Sequence, residues 1–285
     1  MMKYLYTLFF ATFTFQTMAQ SSYKILDSHQ KEITLDEMLM DLMEKDIVFF
    51  GEFHNNATIH QLQLQVYKNI QGLKNWAIGM EMLERDQNRM LQEFMQYSMS
   101  WETWKAHEKL WSNFESDYLP ILLFAKEHRL PAVATNIPRY LASTVARNGW
   151  DSLDNYLKVH PEKKDWIVPL PMTIDYNAPG YNEFPTMFGE QGSHGMDIKL
   201  LTDAQAIKDA TMAHSILQFL NTHPGKGMFH IQGNFHNKDR SGIIWYLNHY
   251  KSPYQYSSIE VYHSDKNNFD VEITTVADYY IIVHP

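Results

Sequence analysis

Two short segments bring ionisable residues to equivalent positions in the chain. Gly-Glu-Phe-His at 51–54 and Gly-Asn-Phe-His at 233–236 each follow an apolar run and precede a helical pattern. A glycine lets the backbone turn tightly, so that side chains one to three residues later can face a crevice. Imidazoles bind zinc or iron and exchange protons near neutral pH. His54 and His236 therefore indicate a metal site or an acid/base site, although a solvated loop is the plain alternative in a chain with 14 histidines.

Further polar residues follow other apolar runs. Glu81 comes after the run 76–80, and Asn136 and Arg139 come after the run 131–135. Ligands of open α/β sheets bind at the carboxyl ends of the strands, so all these residues are expected around one cavity. Arg139 could bind a carboxylate or an oxyanion, or only form a salt bridge at the start of a helix. Metal ligation is predicted for four residues, namely His54, His236, Glu52 and Glu81.

A second pair of polar residues lies further along the chain. Gln205 and Asp209 are one helical turn apart and share a helix face. Either side chain could orient a ligating residue from behind, and a solvated face is the alternative.

The elements that position these residues alternate along the chain. Short apolar strands are predicted at 47–50, 76–80, 131–135 and 227–232, with helical patterns between them. This alternation predicts an α/β fold with a mainly parallel central sheet flanked by helices. Thr202 to Gln205 resembles a capping box that opens a helix. Closing strands are predicted at 254–262, 269–275 and 279–283.

Two segments interrupt the alternation of strands and helices. Residues 86–128 are helical in pattern and rich in Met, Trp and Leu, which predicts a helical cap layer. Residues 160–196 contain five prolines interleaved with aromatic residues such as Tyr176 and Tyr181, and also His194. Disordered segments are poor in aromatic residues, so this segment is predicted to be an ordered flap.

Composition and the N-terminal residues limit the function classes. A net charge of −9 without a basic cluster argues against nucleic acid as a partner. Residues 1–19 have the pattern of a secretory signal peptide, and their apolar run is too short for a transmembrane segment. The sequence contains no cysteine, so neither disulfides nor a cysteine-linked lipid anchor is expected. We therefore expect an exported protein with a single domain over residues 20–285.

Five segments of the chain resemble the ChaN-type haem-binding uptake family. This family belongs to the Tiki superfamily, together with metal-dependent peptidases and erythromycin esterase-like enzymes. The segments are 51–54, 79–82, 118–139, 204–213 and 233–243.

The resemblance implies a haem-binding protein of the periplasm or cell envelope that acts in haem and iron acquisition, and a homodimer that shares the ligand. The matching motif positions are Glu52, His54, Glu81, Arg139 and His236. Candidates for contacting haem are Tyr118, Tyr176, Tyr181 and His194 as iron ligands, with Arg139 beside a propionate.

Two other functions fit the same residues. In a metal-dependent hydrolase, the histidines and one of Glu52 and Glu81 would bind zinc, manganese or cobalt. The other carboxylate would then activate water, and Arg139 would stabilise the oxyanion. In a non-catalytic envelope protein, these polar turns would only stabilise the fold, although burying several ionisable groups for that purpose is costly.

Overall fold

The structure is a computed structural model that describes residues 22–72, 74–183, 186, 197–265 and 268–284. The predicted signal peptide and His194 lie outside the described residues. They therefore remain predictions.

One eight-stranded sheet organises the described chain. Its strands are β1 (Tyr23–Asp27), β2 (Glu32–Ile33), β3 (Ile47–Glu52), β4 (Ala77–Glu84), β5 (Ala132–Asn136), β6 (Met228–Gly233), β7 (Tyr256–His263) and β8 (Tyr279–Val283). Their order is β2-β1-β8-β7-β3-β6-β4-β5, and the strands from β8 to β5 are parallel. The predicted α/β fold with a mainly parallel sheet is confirmed.

The central strands are buried on both faces because helices cover both. Every residue of β3 and β6 is buried, as expected for strands inside a parallel sheet. The helices are α1 (Leu35–Glu44), α2 (Ala57–Asn69), α3 (Asn88–Met95), α4 (Trp101–His107), α5 (Leu119–Glu127), α6 (Arg139–Asn148), α7 (Trp150–Val159), α8 (Ile198–Thr222) and α9 (Ile243–His249). One core cluster contains residues of α1 to α5, and a second contains residues of α6 to α9.

The predicted cap is helical. Helices α3, α4 and α5 lie within 86–128, and a π-helical turn at Phe114–Tyr118 leads into α5. Within the flap, short 3-10 turns occur at Pro161–Trp166 and Tyr181–Glu183.

Two local predictions are wrong. Helix α8 begins at Ile198, where Asp197 caps it by accepting a hydrogen bond from the Lys199 backbone. Thr202 therefore lies inside the helix, and its hydroxyl donates to the Ile198 carbonyl. Residues 269–275 form no strand, and their apolar side chains pack beside β1 and β8 instead.

Candidate functional site

The two glycine-containing turns lie side by side at the carboxyl edge of the sheet. Strands β3 and β6 are parallel neighbours, and Glu52 is in register with Gly233. His54 and His236 therefore leave the sheet on the same edge, as predicted. Strand β4 pairs with the other side of β6 and brings Glu81 to this edge.

Glu52 is the centre of the first polar group. Its carboxylate accepts a hydrogen bond from the Tyr118 hydroxyl at 2.5 Å and one from the Gln63 amide at 2.8 Å. Nδ1 of His54 lies 2.8 Å from the same carboxylate. His60 lies behind this group, with Nε2 3.0 Å from the His54 carbonyl oxygen. The first strand end, α2 and the cap thus hold one buried carboxylate between several donors.

His236 is the centre of the second polar group. Its Nε2 lies 3.0 Å from Oε1 of Glu81, and its Nδ1 contacts Oδ1 of Asp209. The other oxygen of Asp209 accepts a hydrogen bond from the Tyr181 hydroxyl at 2.6 Å. The Gln205 amide lies 3.0 Å from Nδ1 of His236. Asp209 and Gln205 therefore both contact His236 from α8, the arrangement that their spacing suggested.

The two carboxylates fix the charge of His236. Burial alone would lower the pKa of this imidazole, but Glu81 and Asp209 together raise it to about 10. Burial also opposes ionisation of Glu81, yet His236 and His54 lower the pKa of Glu81 below its ordinary value. Burial raises the pKa of Asp209 despite the contact with His236. At neutral pH the group contains an imidazolium between two acidic side chains.

His54 lies between the two polar groups and is the more accessible histidine. A Cβ atom on Gly233 would come within 3.0 Å of Cε1 and Nε2 of His54, and 3.5 Å from Oε2 of Glu81. The imidazole therefore lies directly over the second glycine turn. Its side chain is 36% exposed, and the ring packs edge-on against Trp111, with ring centroids 4.8 Å apart.

Arg139 lies on the far side of Trp111. Its guanidinium is 5.6 Å from the Trp111 ring and 3.6 Å from Glu84, and the side chain is 64% exposed. Its contacts are thus a salt bridge and a ring at the start of α6, outside the hydrogen bonds of both polar groups.

The described tyrosine candidates all donate their hydroxyls to carboxylates. Tyr118 and Tyr181 are buried and bind Glu52 and Asp209. Tyr176 is 40% exposed, and its hydroxyl donates to the buried Asp203 at 2.6 Å. None of the three lines the cleft beside His54.

A cleft of about 760 Å³ opens beside His54 at the ends of β3, β6 and β7. Phe53 and His263 stack in it with ring centroids 3.8 Å apart. Phe235 and Tyr262 add further aromatic surface. The cleft is therefore a wide aromatic slot next to an accessible imidazole.

Metal coordination finds no support in the part of the chain that the structure describes. There, no group of three or more His, Asp or Glu residues could hold a metal ion. Both nitrogens of His236 contact carboxylates, and Glu52 is engaged by three side chains.

Glu260 in the cleft wall gives a pH-dependent prediction. Burial raises the pKa of Glu260 from 4.5 to about 7. Because the folded state binds this proton more tightly, the stabilisation is complete below pH 4.5 and is lost as the pH rises through about 7. The free energy of unfolding of the wild-type protein should fall by about 2 kcal/mol between about pH 5.5 and about pH 8.5, and Glu260→Gln should not show this fall. Urea unfolding at both pH values measures it. Glu93→Gln, on the exposed face of α3, is the control. An unchanged pH dependence in Glu260→Gln would contradict this assignment.

The fold and the site define an α/β protein with a histidine and carboxylate cluster at the carboxyl edge of its sheet. The model of the haem-binding uptake family, Tiki superfamily, ChaN, matches residues 38–247, and the chain belongs to this family. A comparison with curated proteins finds no match.

Two solved structures have a similar fold. ChaN of Campylobacter jejuni, described with cofacial heme binding, has a TM-score of 0.68 at 18% identity, over 92% of this chain and 97% of that chain. A histidine-to-asparagine mutant of the erythromycin esterase EreC, in its open conformation, has a TM-score of 0.50 at 12% identity, over 90% of this chain and 83% of that chain. No helix in the described ranges is long and apolar enough to cross a membrane.

Proposed function

We propose that this protein is an exported haem-binding protein of the periplasm or cell envelope, that it acts in haem and iron acquisition, and that its haem site is the cleft beside His54. Membership of a haem-binding family supports haem as the ligand. The observation that carries the position of the site is the pairing of an accessible imidazole with an aromatic slot.

The cleft has the features that a porphyrin needs. Haem sites are wide and largely apolar, with an axial His or Tyr and a cation for the propionates. Phe53, Phe235 and Tyr262 provide aromatic surface, and Lys238 provides an ammonium group. The residues present therefore fit haem as a bound cargo.

His54 is the proposed iron ligand. Its Nδ1 is held by Glu52 at 2.8 Å, which leaves Nε2 as the nitrogen that can bind iron. A carboxylate behind a ligating imidazole fixes the ring and makes it a better donor. His263, which also lines the cleft, has Nε2 3.3 Å from the Asn56 amide and one ring face against Phe53. His54 is therefore the better placed of the two.

A hemin titration of the mature protein tests this function. We expect a saturable shift of the Soret band at micromolar protein, because an axial imidazole and an aromatic slot change the porphyrin spectrum. A spectrum that remains the sum of free hemin and protein would contradict haem binding. Sedimentation of the protein with and without hemin tests the proposed homodimer.

Export and domain organisation give a separate prediction. Cleavage after Ala19 should leave a mature chain that begins at Gln20, because small residues precede this position. N-terminal sequencing of protein from the periplasmic fraction checks this start. An uncleaved N-terminus in the cytoplasmic fraction would contradict export without affecting the haem site. Residues 20–285 should unfold in one cooperative transition if they form a single domain.

A further inference from the structure

The cation of the cleft is paired with a carboxylate. Lys238 is the sole Lys or Arg among the described residues that line the cleft. Its Nζ lies 2.6 Å from Oε2 of Glu183, and the two side chains are 28% and 40% exposed. An acidic group of a ligand that binds the Lys238 ammonium must therefore compete with the Glu183 carboxylate.

Glu183 is held at this position by the end of the described flap segment. It closes the short turn Tyr181–Glu183, and its backbone N–H donates to the Gly180 carbonyl at 3.2 Å. Two residues earlier, the Tyr181 hydroxyl is anchored on the buried Asp209. The segment that positions the Glu183 carboxylate beside Lys238 is thus hydrogen-bonded, through Tyr181, to Asp209 of the second polar group.

Lys238 lies in an acidic part of the cleft. Asp239 is its neighbour in the chain, and Glu260, which lines the same cleft, accepts a hydrogen bond from the Asp239 backbone at 3.0 Å. A ligand carboxylate added beside Glu183 would face these acidic groups as well, and like charges disfavour such contacts. If the ligand carboxylate replaces Glu183, the number of acidic groups around the ammonium stays the same and Glu183 gains access to solvent.

We propose that Glu183 is an internal competitor for the ligand of the cleft, and that a carboxylate of the ligand takes its place on Lys238. The inference rests on the proposed haem binding and deepens it. It makes Lys238 the residue that selects ring systems with free carboxylates, and Glu183 the residue that sets the affinity for them. The exchange is a replacement of one ion pair by another and needs no covalent step.

Hemin and its dimethyl ester, which lacks free carboxylates, test the exchange. Glu183→Gln should bind hemin about fivefold more tightly, because the amide competes less well for the ammonium. Lys238→Met should bind hemin about fivefold more weakly, and the double variant should behave as Lys238→Met. The ester should bind all four proteins with equal affinity. Glu93→Gln and Lys105→Met change the same charges in exposed ion pairs of α3 and α4, and should leave hemin affinity unchanged.

The outcomes separate this inference from the proposed function. If hemin binds to all variants with equal affinity, the exchange is wrong and haem binding stands. The same conclusion follows if Glu183→Gln tightens the ester as much as hemin. If the wild-type protein binds neither compound, the proposed function fails and the exchange fails with it. Thermal unfolding of each variant identifies any change in affinity that comes from misfolding.

Discussion

His54→Ala is expected to bind hemin at least about 100-fold more weakly than the wild-type protein, a loss of about 3 kcal/mol. The substitution removes the imidazole that lines the cleft and leaves the aromatic surface in place. Residual binding should therefore be that of an apolar slot without an axial ligand, with a Soret band close to that of free hemin. The Soret shift and the dissociation constant, from titrations of both proteins, are the measurements.

His263→Ala is the matched control for this experiment. It removes an imidazole from the same cleft, but one that is stacked on Phe53 and close to the Asn56 amide. We expect a change in hemin affinity of less than about tenfold, since a stacking contact is worth only about 1 kcal/mol. A larger loss in His263→Ala than in His54→Ala would assign the iron to His263.

Asp209→Ala is expected to lower the free energy of unfolding by about 3–5 kcal/mol near neutral pH. The substitution removes one of the two carboxylates on the buried His236 imidazolium and the acceptor of the Tyr181 hydroxyl. A buried charge and a buried hydroxyl thus lose a partner at once. Urea unfolding monitored by tryptophan fluorescence measures the change.

The pH dependence of this loss identifies its cause. The pKa of His236 is raised from 6.5 to about 10, so the stabilisation from the imidazolium is complete below 6.5 and is lost as the pH rises through about 10. The cost of Asp209→Ala should therefore be smaller at about pH 9.5 than at about pH 6.5. Glu93→Ala, which breaks an exposed pair with Arg89, should cost less than about 1 kcal/mol at either pH. An equal cost of Asp209→Ala at both values would show that packing, and not charge, dominates.

The strand-end residues of the site could be predicted because local patterns specify them. Glu52, His54, Glu81 and His236 each follow a short apolar run bounded by a turn signal, which favours a strand, and parallel strands end at the same edge. The partners of these residues from the surrounding helices carry no such signal. Gln63 lies on α2, and Trp111 lies in the cap before the π-helical turn. Their contacts with Glu52 and His54 depend on how α2 and the cap pack against the sheet.

The position of Arg139 shows the limit of this reasoning. It follows β5, as the pattern predicts, but β5 is the edge strand, two places from β6. Its guanidinium therefore meets Glu84 and Trp111 outside the two polar groups. The order of the strands, which short-range patterns do not contain, decides which strand ends are neighbours. Lys238 was not identified for a different reason: it follows the second glycine turn by two residues, but the Gly-x-x-His pattern does not show which way the chain continues, and that path brings Lys238 to the cleft.

The two wrong predictions of secondary structure, the start of α8 and the strand at 269–275, also have local causes. The pattern of Thr202 and Gln205 fits a helix start, but the residues before it are equally compatible with helix, and Asp197 supplies the cap. The alternation of apolar residues at 269–275 predicted a strand. Val271 and Ile273 do pack on β1 and β8, but without ladder hydrogen bonds. Alternating apolar and polar residues indicate which side chains are buried. A strand also requires hydrogen bonds between its backbone and a neighbouring strand, which the pattern does not indicate.

The most direct test of the central claim is magnetic resonance of the hemin-loaded protein grown with ¹⁵N-histidine. If His54 binds the iron, the spectrum should contain the hyperfine coupling of an axial ¹⁵N imidazole, and the coupling should be absent in His54→Ala and retained in His263→Ala. A loaded protein without ¹⁵N coupling would contradict the account. The vibrational bands of an iron-bound phenolate would also contradict it, and would place the iron on a tyrosine, either Tyr262 in this cleft or a tyrosine outside it.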